Sequence, residues 1–158
     1  MTTLVAGATG ATGRLLVAQL LDRGHQVKVI VRSPDKLPDS VRTHDRLCVI
    51  RGNILDLNDA ELARHVNGCV AVASCLGHNL SLKGIYGRPR MLVSDSVRRL
   101  HAAILVNPPG KPARFVLMNT AGNSNRDLLE PISFAQKVAM MLIRSLVPPH
   151  LDNEKASD

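Results

Sequence analysis

The 158-residue chain has no tryptophan, one tyrosine (Tyr86) and two phenylalanines (Phe115 and Phe134). Aromatics make up 2% of the residues while hydrophobic residues make up 45%, so the core has to be aliphatic. The same shortage argues against single-stranded nucleic-acid binding, which stacks bases on aromatic platforms. The three cysteines, Cys48, Cys69 and Cys75, form an odd set without metal-ligand or redox-motif spacing. Each lies in or beside an apolar, strand-like segment and reads as a reduced thiol. His25, His44, His65, His78 and His101 are scattered without ligand spacing, so no metal is expected. Long apolar runs are missing too. The most hydrophobic stretch, Val138 to Val147, is broken by Arg144 and is too short to span a bilayer. Met1-Thr2-Thr3 runs into Leu4-Val5-Ala6 with neither a basic n-region nor an adequate h-region, which reads as a cytoplasmic protein.

Lys and Arg total 20 against 13 Asp and Glu, a net +7. That balance favours anionic partners of some kind, but charge alone is a thin case for nucleic acid. The length fits one domain, enough to bury roughly 70% of the unfolded chain's surface. Short apolar runs alternate with helical patterns. Thr3–Ala6 reads as a strand, Gly7–Gly13 as a loop, and Arg14–Arg23 as a helix ended by Gly24. Val27–Val31 is a second strand, followed by a loop containing Pro34 and Pro38, and Leu47–Ile50 a third. Asp56–Val66 looks helical, with Asn58 the N-cap and Glu61 three residues on, the spacing of a capping box. Cys69–Ala73 is a fourth strand. Val93, Val97, Leu100 and Ile104 mark one helical face. Phe115–Met118 is a fifth strand, and Ser133–Val147 an apolar helix stopped by Pro148-Pro149. Strands alternating with helices imply parallel strands with crossovers on both faces. The expected fold is a single α/β domain, a doubly wound parallel sheet of the Rossmann type, over residues 1–158.

One motif carries chemistry. Gly7-Ala8-Thr9-Gly10-Ala11-Thr12-Gly13 is a G-x-x-G-x-x-G between the first strand and the first helix. The early glycines allow a tight turn and close approach of a pyrophosphate, and the last lets helix pack on strand. Free N–H groups at the helix start then face the anion. At the end of the second strand, where an acidic side chain would bind a ribose 2′-hydroxyl, the sequence reads Val31-Arg32-Ser33, with Lys36 close behind. A carboxylate there would repel a 2′-phosphate, whereas Arg32 would pair with it. The expected cofactor is NADP(H).

Leu4 through Arg32 resemble the atypical short-chain dehydrogenase/reductase superfamily, in the NAD(P)H-binding branch similar to biliverdin-IXβ/flavin reductase and the NmrA-like proteins. The likeness continues in Arg51-Gly52-Asn53-Ile54-Leu55-Asp56, Ser74-Cys75-Leu76-Gly77 and Asn119-Thr120-Ala121-Gly122. It implies that Thr9, Gly10, Ala11 and Thr12 wrap the pyrophosphate, and that Arg32 and Ser33 hold the 2′-phosphate. Asn53 and Ile54 would contact the adenine edge, Leu76 and Gly77 would pass along the nicotinamide ribose, and Thr120 would sit near the nicotinamide. Asn53 departs from the Asp common in this branch, but its amide oxygen still accepts a hydrogen bond.

The superfamily's Tyr-x-x-x-Lys signature is absent. Tyr86 has Arg90 four residues on, within a segment that holds Gly84, Gly87 and Pro89, and reads as a loop residue. Where the Tyr/Lys segment would fall, the chain has Pro149-His150-Leu151-Asp152, and His150 is the candidate proton donor. The expected activity is hydride transfer promoted by positioning, from NADP(H) to a small-molecule electron acceptor of the flavin or quinone kind. The alternative is a non-catalytic NADP(H)-binding regulator that reports redox state to a protein partner. Cys75 reads as a packing residue, Met140-Met141 as core, and Arg98-Arg99 as a solvated helix face. Compared with the family, the chain is expected to stop short at its C-terminus, before the final strand and substrate segment. That would leave Phe115-Val116-Leu117-Met118 as an open apolar edge and favour self-association.

Overall fold

The computed structural model describes residues 1–77, 91–107, 113–118, 152, 155 and 156. The chain divides into two compact units, Met1–Leu76 with Asp95–Met118, and Gly77–Ser94 with Asn119–Asp158. The first unit holds the sheet. In chain order its elements are β1 (Thr2–Ala6), α1 (Ala11–Asp22), β2 (Gln26–Val31), a 3₁₀ turn (Pro34–Lys36), α2 (Asp39–Arg42), β3 (Leu47–Arg51), α3 (Asp59–Val66), β4 (Ala71–Ser74), α4 (Leu92–Leu105, its first residues in the second unit) and β5 (Arg114–Leu117).

All strand pairings are parallel, in the order β3-β2-β1-β4-β5. Strand order reverses at β1, the arrangement that opens a ligand crevice outside the carboxyl ends of the strands. The register brings Ala6 beside Ile30 and Ser74, and Val31 beside Arg51. Side chains alternate between two apolar layers, as the two-residue period of a strand requires. Val5, Val27, Val29, Val31 and Ala73 join Val17 and Leu21 of α1 and Val41 of α2 on one face. Leu4, Ala6, Ile30 and Val72 join Leu62 and Val66 of α3 and Leu100 and Ala103 of α4 on the other. A fully buried leucine such as Leu4, Leu62 or Leu100 contributes roughly 1.5–3 kcal/mol over an exposed one. The doubly wound sheet is therefore present, with an aliphatic core.

Some boundaries differ from those read in the sequence, each for a local reason. Helix α1 begins at Ala11, not Arg14, because Gly10 takes the extended N-cap conformation (φ −76°, ψ 168°). Gly13 thus sits inside the helix. Helix α3 begins at Asp59 because Asn58 is its N-cap, and the expected capping box is complete: Glu61 N donates to Asn58 Oδ1 at 2.8 Å and Asn58 N to Glu61 Oε2 at 3.0 Å. Strand β4 starts later than expected. Gly68 (φ +75°) and the Cys69 N–H bond to Val66 O keep Cys69 in the turn after α3. The segment around Pro34 and Pro38 is not a plain loop. It holds two single helical turns, too short to show periodicity in sequence. The expected helix at 133–147 lies outside the described residues. Strand β5 pairs only with β4 among the described residues, and Val116 on it is exposed.

Candidate functional site

The β1–α1 loop is shaped by what its glycines lack. Gly7 has φ +77°, and a Cβ there would lie 2.5 Å from Cys75 O. A Cβ on Gly13 would come within 2.1 Å of Gly7 O. Backbone is therefore packed on backbone at both places, and no side chain fits. Gly10 N donates to Gly7 O at 3.0 Å, closing the turn, and Cys75 N donates to Ala6 O at 2.9 Å. No side chain caps α1 and its first turn has no acid. Amide groups of that turn are thus available to an anion, with the helix dipole aiding. Ala8 is buried in the layer beneath, while Gly10, Ala11 and Thr12 are exposed and Thr9 half-buried. The loop presents its backbone outward, as a phosphate cradle must.

At the end of β2, Arg32 is exposed and has no partner among the described residues. Ser33 caps the 3₁₀ turn without using its side chain. The nearby acid Asp35 pairs with Arg42 at 3.7 Å. The end of β3, in register with Val31, carries exposed Arg51. A cationic rim thus lines this corner.

The β3–α3 loop carries Asn53 and Ile54. Asn53 Nδ2 donates to Asp56 Oδ2 at 3.1 Å, and its Oδ1 accepts from Leu55 N at 3.4 Å. The Ile54 side chain is buried in the α3/α4 layer rather than presented outward. Leu76, also in the first unit, packs against that layer. Around Gly77 an added Cβ would meet nothing within 4 Å. Thr120, His150 and Tyr86 lie outside the described residues, as does Met140-Met141. Burial pushes the Cys75 thiol above its ordinary pKa, which fits packing, not nucleophilic attack. No group of acidic, histidine or cysteine side chains among the described residues could hold a metal. No helix among them is long and apolar enough to cross a membrane.

The reading of Arg98-Arg99 as a solvated face needs correction. Arg98 is exposed and pairs with Asp95 at 3.2 Å. The Arg99 side chain is only 22% exposed. It donates to Ile54 O at 2.6 Å, to Leu57 O, and to Asp59 Oδ1 at 2.9 Å. Those partners lie 40–45 positions away, so no local pattern reveals them. The role of Asp152 is hidden from local sequence for the same reason. Its buried carboxylate accepts from Val93 N at 2.8 Å, Ser94 N at 3.0 Å and Ser94 Oγ at 2.6 Å. It satisfies first-turn amides of α4 that a methionine at position 91 cannot cap. Ser74 Oγ and Ser96 Oγ are buried without a hydrogen-bond partner among the described residues.

The cradle that a Cβ would fill, the amides behind it and the cation at the end of β2 fit a dinucleotide. Residues 7–144 match the family described as NAD(P)H-binding. The chain belongs to that family. Members and neighbours extend the picture in different directions. A chloroplast protein of Arabidopsis thaliana is 42% identical over 52 residues, 33% of this chain and 19% of that protein. A short-chain dehydrogenase/reductase of Veillonella parvula, solved with NADP, superposes with TM-score 0.66 at 17% identity, covering 98% of this chain and 61% of that one. A Streptococcus pneumoniae protein provisionally named an NADH-flavin reductase superposes with TM-score 0.61 at 19% identity, covering 99% and 63%. The match thus spans about a fifth of the Arabidopsis relative and less than two thirds of either solved chain. At these identities the solved structures bear on the fold, which is the Rossmann type. The family match agrees with the resemblance to the NAD(P)H-binding branch of the atypical short-chain dehydrogenase/reductases.

Proposed function

We propose that the chain binds NADP(H) in preference to NAD(H) and serves hydride transfer to a conjugated ring acceptor of the flavin or quinone class. The observation that carries the cofactor choice is Arg32, exposed at the end of β2, without a partner among the described residues and with no carboxylate in its place. The bound cofactor supplies the hydride from its reduced nicotinamide. This chain's residues bind and orient it: the amides behind Gly10 take the pyrophosphate, Arg32 and Ser33 the 2′-phosphate, and Asn53 the adenine amino group. The acceptor takes two electrons with the hydride and its proton from solvent or from His150. An acceptor of this kind is favoured because the Tyr-x-x-x-Lys pair that activates simple carbonyls is missing. The Veillonella neighbour, solved with NADP, is in keeping with the cofactor choice, and the name of the Streptococcus neighbour with the flavin acceptor, although that name specifies NADH as the donor.

Calorimetric titration of NADPH and NADH into wild type and Arg32→Ala tests the cofactor choice. Losing a hydrogen bond between charged groups costs about 1.5–3 kcal/mol, so NADPH binding weakens roughly ten- to a hundred-fold. NADH, without the phosphate, is expected to bind equally to both proteins. Equal weakening of the two cofactors would mean that Arg32 supports the loop and not the phosphate. Loss of nicotinamide absorbance with a panel of flavins and quinones tests the acceptor class. Tight cofactor binding with no turnover on any acceptor would instead favour a regulator that reports cofactor redox state to a protein partner.

A further inference from the structure

Arg99 is a side chain with three long-range hydrogen bonds that the nucleotide reading leaves unused. The β3–α3 loop leaves two carbonyls, Ile54 O and Leu57 O, pointing away from its own turns. Both are taken by Arg99 from helix α4, which also holds Asp59 at the start of α3. Within the loop, Gly52 N is fixed to Val31 O at 3.0 Å, next to Arg32. Asn53 is folded onto Asp56, and the Leu57 side chain lies against Gly52, within 3.3 Å of where its Cβ would be. The loop is thus pinned at one end by β2 and at the other by Arg99, with Asn53 between. The planar guanidinium spreads these bonds over two nitrogens of a fixed fork, Nη1 on Ile54 O and Nη2 on Leu57 O and Asp59, whereas an ammonium has only one nitrogen to place.

We propose that Arg99 is the positioning residue of the adenine end of the nucleotide site, acting through the Gly52–Asn58 loop to hold the Asn53 amide in place. The inference rests on the nucleotide reading above. Arg99 touches no ligand; it fixes the backbone from which Asn53 projects. The loop stands at the carboxyl end of β3, beside the strand end that carries Arg32, so a nucleotide crossing from the glycine loop toward β2 passes over it.

The test is a double-mutant cycle on the full chain, with NADPH as the probe and thermal unfolding of the unliganded proteins alongside. Arg99→Ala is expected to weaken NADPH about ten-fold, the scale of one lost hydrogen bond at the adenine edge. Arg99→Lys, which keeps the charge but not the fork, is expected to fall between and guards against misfolding of the alanine variant. In the Asn53→Ala background the same Arg99 changes are expected to have little further effect, because residues acting as one unit are not additive. A merely structural role would move the unfolding temperature but leave the two losses additive, and that result overturns the proposal. So does unchanged NADPH affinity in Arg99→Ala and Arg99→Lys. Failure of the wild-type chain to bind NADPH at all would overturn the nucleotide reading together with this one.

Discussion

The two loops at the carboxyl ends of β1 and β3 solve the same problem in opposite ways. The β1–α1 loop is held by the absence of side chains, with Gly7 and Gly13 letting carbonyls and turns approach within distances no Cβ tolerates. The β3–α3 loop is held by side chains: Asn53 on Asp56, Asn58 on Glu61, and Arg99 on two carbonyls. A loop of the first kind is rigid because nothing else fits, and it leaves its amides facing outward for an anion. A loop of the second kind is as rigid as its furthest partner, and it can be adjusted one side chain at a time. Substitutions should therefore act steeply in the first and gradually in the second.

The steepest effect is expected at Gly13. Its backbone needs no left-handed conformation, so any cost of Gly13→Ala comes from contact alone, a methyl driven against Gly7 O. Overpacking costs about 1–3 kcal/mol and occasionally more, contact with rigid backbone standing at the upper end, and urea unfolding would show it as a large fall in midpoint with loss of nucleotide binding. Gly68→Ala provides the contrast. Nothing stands within 4 Å of its Cβ, but φ is +75°, so it pays only the left-handed cost of about 1–2 kcal/mol. If Gly13→Ala were no worse than Gly68→Ala, the first loop would not be set by close packing.

A middling effect is expected in the second loop. Asn58→Ala removes the side-chain half of the capping box and costs about 1 kcal/mol, read from chemical denaturation. Because Arg99 still grips Ile54 O and Leu57 O, NADPH affinity should stay as in the wild type. A parallel loss of affinity would mean that the cap, and not Arg99, sets the loop.

The contrast between the loops also explains what could be read beforehand. Strands β1, β2 and β3, the glycine loop and the Asn58–Glu61 box are written in neighbouring residues, so their physics is visible locally. Arg32 stands exposed at the end of β2, where its place after a strand put it, and its role toward a 2′-phosphate stands as an expectation. Arg99 was not legible, since a helix arginine reads as solvated until its partners 40 or more positions away are known. Asp152 hides for the same reason, being 58 and 59 positions from the amides it accepts. The Ile54 side chain belongs to the core and its carbonyl is taken by Arg99, so its contact with the adenine edge stands as an expectation. Thr120 and His150 lie outside the described residues, and their roles stand as expectations.

The smallest effect concerns α3, whose start is closed by its own neighbours and whose end is closed from afar. Lys28 Nζ on β2 donates to His65 O at 3.0 Å and Asn67 O at 3.2 Å. Burial, then the charges of Lys28 and Arg64, lower the pKa of His65 below 6.5, with Glu61 opposing. Between that lowered value and 6.5 the unfolded chain binds more protons than the folded one, so stability rises with pH. The contribution is complete above the unfolded value near 6.5 and is lost as pH falls through the folded one. Urea midpoints should therefore drop modestly between pH 7.5 and pH 5.5, and His65→Gln should flatten that part of the profile. Lys28→Met should lower stability at every pH by freeing two carbonyls. It should also bring the His65 titration, followed by NMR, closer to 6.5 without reaching it, because burial, the larger cause, persists. A His65 that titrates above 6.5 in the wild type would reverse the sign and show that the end of α3 welcomes a second cation beside Lys28.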